Sequence, residues 1–103
     1  VGITFINFMK KENLLETLKN LKLELIQQFP IQRMALFGSY ARNEQTPESD
    51  IDILIEVDPK IGLGFVKLAE QLEKRLGKKV DLVSWRAVQP NRWEHLKMEL
   101  IDI

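Results

Sequence analysis

Two aspartates spaced i, i+2, Asp50 and Asp52, follow a glycine–serine turn, Gly38–Ser39, after ten intervening residues. Apolar residues Met34 to Phe37 lead into the turn, and Ile51, Ile53, Ile55 and Val57 alternate after it, so both parts sit at strand ends. With about 3.3 Å of rise per strand residue, Asp50 and Asp52 share one face roughly 7 Å apart, and their oxygens can grip one or two divalent ions. The isoleucines then fill the opposite face. Gly38 lets the backbone approach a phosphate, and Ser39, read as the N-cap of a short helix through Tyr40, Ala41 and Arg42, adds a hydroxyl and an amide at its positive end. This is the chemistry of metal-nucleotide handling.

A third carboxylate belongs to the same pattern. Lys79-Val80-Asp81-Leu82-Val83 reads as a short strand with Val80 and Leu82 on one face and Asp81 on the other. If it pairs beside the Asp50 strand, three carboxylates converge. Like charges gathered in this way raise one another's pKa, and a divalent cation is what neutralises them.

The positioning elements follow from periodicity. Leu14, Leu15, Leu18, Leu21, Leu25, Ile26 and Phe29 have helical spacing, ended by Pro30. Arg33 to Phe37 form the first strand, the polar segment Asn43 to Ser49 delivers Asp50, and the second strand runs to Val57. Phe65, Leu68, Ala69, Leu72 and Leu76 mark a second long amphipathic helix closed by Gly77. After Pro90, Trp93, Leu96, Leu100 and Ile101 predict a closing helix over 91–103. The alternating order predicts a small single α/β domain with a mixed β-sheet flanked by helices.

Composition narrows the function. A chain of 103 residues suits one small domain and leaves no room for a second catalytic lobe. Fifteen basic and fifteen acidic residues cancel, so no global positive field attracts a phosphate backbone, which argues against direct nucleic-acid binding. The absence of cysteine removes thiolate nucleophiles and Cys-type zinc sites and is consistent with a reducing cytoplasm. No stretch approaches a membrane span, and Val1 to Phe8 lacks an export signal; it reads as an extension of residues 1–8 ahead of a domain over residues 9–103.

Gly38–Ser39, the ten-residue interval, Asp50-x-Asp52 and the later Asp81 together resemble the nucleotidyltransferase superfamily that includes polymerase beta. Within it the chain is similar to the minimal nucleotidyltransferases, one-domain proteins often paired as antitoxins with a HEPN-domain toxin. The resemblance runs from about Leu14 to about Val83. It implies that Asp50, Asp52 and Asp81 are catalytic and bind two magnesium ions, with ATP as substrate. Gly38 and Ser39, which match the family turn, are the implied nucleotide-binding residues; Arg42, one helical turn on, is within reach of a triphosphate, and Ser49 completes the nucleotide-binding candidates or orients its loop. The implied reaction moves AMP to a hydroxyl, with a tyrosine of a partner HEPN toxin as the acceptor, in a hetero-oligomer. Two alternatives stay open: an antitoxin that acts by binding alone, and an adenylyltransferase that modifies a small molecule such as an antibiotic.

Other features read more simply as structure. Gly62-Leu63-Gly64 lacks the third glycine of a phosphate loop. His95 is the only histidine, which excludes a histidine-based zinc site or triad. Lys74, Arg75, Lys78 and Lys79, balanced by Glu70 and Glu73, form a solvated helix face, and Trp85 and Trp93 serve either the core or a partner.

Overall fold

Leucines at 14, 18, 21 and 25 fall on one stripe of a helix, and all four are buried against a sheet whose inner face carries Met34, Leu36, Ile51, Ile53 and Ile55. The computed structural model describes residues 9–103; the expected extension Val1–Phe8 lies outside the described residues. Helix α1 spans Lys11–Leu25, β1 Ile31–Phe37, α2 Gly38–Ala41, β2 Ile51–Val57, α3 Gly64–Leu76, β3 Val80–Ser84, α4 Pro90–Leu96 and β4 Ile101–Asp102. Short 3-10 turns occupy Pro59–Ile61 and Trp85–Ala87.

The four strands form one mixed sheet in the order β3-β2-β1-β4. β1 is antiparallel to β2 and to β4, whereas β2 and β3 are parallel. Parallel neighbours require a crossover, and α3 supplies it, burying Leu68, Leu72 and Leu76 beside the α1 leucines. Gly77 ends α3 with φ 67°, the left-handed conformation expected of a glycine cap, and its N–H donates to Glu73 O at 2.8 Å. The alternation read in β2 holds: Ile51, Ile53 and Ile55 are fully buried on the inner face. On the outer face Leu54, Ala35 and Phe37 pack with Leu96 of α4, joined by Trp85, Trp93 and Leu100.

The closing helix predicted over 91–103 needs correction. α4 ends at Leu96, a turn follows, and Ile101–Asp102 form β4 along the outer edge of β1, with Ala35 opposite Asp102 and Leu36 opposite Ile101. Ile103 N–H extends the ladder to Met34 O at 2.9 Å. Leu96, Leu100 and Ile101 do satisfy helical spacing, but the second half of β1, from Met34 to Phe37, is buried and its edge needs partners for its backbone groups. That demand comes from the tertiary structure, and it favours the strand for the β-branched pair Ile101 and Ile103.

Candidate active site

The carboxylates gather where β2 and β3 begin. Asp52 is the direct register partner of Asp81 across the parallel pair, and Phe37, the residue before the turn, lies opposite Asp52 on its other side. Two contacts fix the starts of these strands: Ile51 N–H donates to Lys79 O at 3.0 Å, and Val80 N–H to the Glu73 carboxylate at 3.0 Å. Asp50 and Asp81 are exposed, while Asp52 is half-buried between them. The structure therefore sets the three predicted carboxylates along one rim.

Burial first, then the negative charges of Asp81 and Asp50, raise the Asp52 carboxyl from an ordinary 3.8 to about 6. Arg42 opposes that rise and Glu99 adds to it. A cation held by these oxygens would relieve the repulsion, and an all-carboxylate donor set suits a hard divalent ion such as magnesium. Among the described residues no three acidic side chains are closed into a ready ligand cage. The structure thus brings Asp52 and Asp81 into backbone register on a rim shared with Asp50, short of the full side-chain convergence expected.

Gly38 is required on two counts. Its φ of +77° lies in the left-handed region, and a Cβ built there would collide with the Asp52 carboxylate, whose Cγ would be 2.8 Å away. The turn rests on the aspartate. Ser39 is not the N-cap predicted for it: α2 starts at Gly38, Phe37 occupies the cap position, and among the described residues no side-chain hydrogen bond caps the helix. Extended backbone at Phe37 followed by positive φ at Gly38 turns the chain one residue earlier than a serine cap would. Ser39 consequently lies in the first turn, half-buried beside Gly38.

Arg42 is at the other end of α2. Its Nε donates to Glu44 Oε1 at 2.8 Å and its Nη1 to the Glu99 carboxylate at 3.1 and 3.2 Å. Ser49 works inside the loop that delivers Asp50, where its Oγ accepts the Thr46 N–H at 2.9 Å. Lys78 Nζ donates to Pro47 O at 2.9 Å and ties that loop to the approach of β3. Glu99 is a site residue that sequence reasoning missed. Its Oε2 accepts the Gly38 N–H at 2.6 Å, across 61 residues of chain, and no local signal in Lys97-Met98-Glu99 announces that contact. The remaining motifs have other places: Gly62–Gly64 opens α3, His95 is exposed on α4, and Trp85 and Trp93 meet on the outer face with centroids 4.8 Å apart and ring planes tilted by 54°.

Among the described residues no helix is long and apolar enough to cross a membrane. Residues 18–102 match the nucleotidyltransferase domain family. A relative from Methanocaldococcus jannaschii, provisionally assigned as protein adenylyltransferase MJ0435, is 42% identical over 74 residues, which cover 71% of this chain and 80% of that protein. A solved structure provisionally described as a minimal nucleotidyltransferase is 32% identical with a TM-score of 0.78, covering 92% of this chain and 97% of the other. A second solved structure, a tri-AMPylated HEPN toxin from Shewanella oneidensis in complex with its MNT antitoxin, matches at 27% identity and a TM-score of 0.61 over 86% of this chain and 69% of that one. Glycine–serine turn, paired aspartates, parallel third aspartate and family match agree, and the chain belongs to the nucleotidyltransferase domain family, with a minimal nucleotidyltransferase fold.

Proposed function

We propose that this protein is an antitoxin nucleotidyltransferase of the cytoplasm that moves AMP from magnesium-bound ATP to a tyrosine hydroxyl of a partner HEPN toxin and so silences it. The observation that carries the reading is the placement of Asp52, flanked by Asp50 and Asp81 on one rim and seated directly under Gly38. Triphosphate oxygens would meet the Gly38 and Ser39 amides, the Ser39 hydroxyl and Arg42, all on or beside α2. Asp50, Asp52 and Asp81 would hold magnesium. When bound, that ion neutralises phosphate charge and lowers the pKa of the attacking hydroxyl.

In the reaction the acceptor oxygen bonds to the α-phosphorus, the bond from that phosphorus to the β-phosphate oxygen breaks, and pyrophosphate leaves. Asp81, exposed on an edge strand, is open to a docking surface and can take the hydroxyl proton. The AMP group adds bulk and negative charge that would block an RNA-cleaving site. The complex between an AMPylated HEPN toxin and its antitoxin supports a HEPN toxin as the acceptor protein, since that structure matches the fold over most of this chain.

The test is mass spectrometry of a HEPN toxin incubated with this protein, ATP and magnesium. One or more AMP increments are expected, absent with the Asp50→Asn, Asp52→Asn double variant. A toxin that stays unmodified yet is silenced by that variant would assign the protein to binding alone.

A further inference from the structure

Glu99 sits where an anion is expected. Its Oε2 accepts the Gly38 N–H at 2.6 Å, and its two oxygens take Arg42 Nη1 at 3.2 and 3.1 Å. These donors are the ones proposed to hold the triphosphate, and the role of Glu99 rests on that nucleotide reading of the turn. A carboxylate offers charged oxygens that satisfy an amide and a guanidinium much as phosphate oxygens do. Gly38 is buried, and an N–H left there without a partner would be destabilising. Glu99 supplies the missing acceptor and keeps Arg42 turned toward the cradle.

We propose that Glu99 is a built-in competitor of the triphosphate: its carboxylate occupies the phosphate cradle in the free protein and must leave before nucleotide can bind. The surroundings permit the exchange. Glu99 lies in the turn between α4 and β4, its side chain is 22% exposed, and Met98 beside it is 85% exposed. Its backbone N–H is held by Leu96 O at 3.0 Å, so the side chain can rotate outward while the β4 pairing persists. Ligands that meet both the Gly38 amide and Arg42 regain what Glu99 gives up, whereas ligands that reach only one of them do not. Glu99 thereby favours polyphosphates over nucleosides and monophosphates.

The experiment is calorimetric titration of the whole chain with a non-hydrolysable ATP analogue and magnesium, alongside thermal melts without ligand. Glu99→Gln should bind the analogue several-fold to about tenfold more tightly than wild type, a change in the range of one charge-assisted contact. The same variant should melt lower in the absence of ligand. A purely structural role would weaken both readouts together, so opposite signs are the signature of competition. Glu99→Ala serves as the second variant and should also bind more tightly. Wild-type affinity or weaker in both variants would overturn the competitor role while leaving the nucleotide reading intact, provided that Gly38→Val abolishes wild-type binding. Full binding by Gly38→Val, or binding by neither wild type nor the Glu99 variants, would overturn both.

Discussion

Asp52 and Asp81 face each other as register partners across the only parallel strand pair among the described residues, β2 and β3. Burial and this neighbour raise Asp52 to about 6, so between an ordinary 3.8 and about 6 the folded protein holds a proton that the unfolded chain has lost. The metal-free protein therefore loses stability as pH rises through that window, and above it the loss is complete. Asp52→Asn should remove the loss. We expect the variant to gain about 1 kcal/mol at about pH 7.5, after the screening due a half-exposed carboxyl, and little at about pH 4.5. Denaturant melts at both values check this, and an equal gain at both would discard the electrostatic cause. AMP transfer by the variant should be abolished.

Gly38 and Asp52 are coupled by contact. Gly38→Ala must adopt a left-handed φ, at roughly 1–2 kcal/mol, and displace the Asp52 carboxylate as well. In an Asp52→Ala background the carboxylate is gone and only the Cβ at 3.0 Å stays in the way, so the same glycine substitution should destabilise less there. A double-mutant cycle with strictly additive melting free energies would show that the two residues do not touch.

How much of the fold and site is legible in the chain depends on range. The alternation of Ile51, Ile53 and Ile55, the stripe of Leu14, Leu18, Leu21 and Leu25, and the cap at Gly77 are local patterns, and each appears in the structure as read. So does Asp81, because Val80 and Leu82 on the inner face oblige it to point outward. Ile101 reads as helix because its spacing from Leu96 and Leu100 fits one, and only the free edge of β1 decides otherwise. Glu99 is invisible for a related reason: its partners Gly38 and Arg42 lie 61 and 57 residues away, and closure of the fold alone brings them together.

Tyr40 is fully buried in the main core, and its hydroxyl has no hydrogen-bond partner among the described residues. Burial also pushes that phenol above its ordinary value. Removing an unsatisfied buried hydroxyl while keeping the ring should be neutral or stabilising by up to about 1 kcal/mol, whereas Tyr40→Ala opens a cavity costing roughly 3–5 kcal/mol. Thermal melts of Tyr40→Phe and Tyr40→Ala test the pair of signs. A clear loss in Tyr40→Phe would mean that the hydroxyl has a partner in solution, with an ordered water the first candidate.

Magnesium and protons should compete for Asp52. On the proposed reading the ion would bind the ionised carboxylate, and with Asp52 raised to about 6 a growing share of the protein is protonated there as pH falls below that value. A ligand that binds only the folded state raises its melting temperature by mass action. The magnesium-induced rise should therefore be full at about pH 7.5 and shrink progressively below about pH 6. In Asp52→Asn it should be small at every pH, since a neutral amide replaces the central carboxylate. Calcium, with the same charge and oxygen preference, should raise the melting temperature with the same pH dependence while supporting less transfer, because its larger and looser coordination positions phosphate oxygens less strictly. A magnesium shift independent of pH between about 5 and 8, or one retained in full by Asp52→Asn, would remove Asp52 from the cation site.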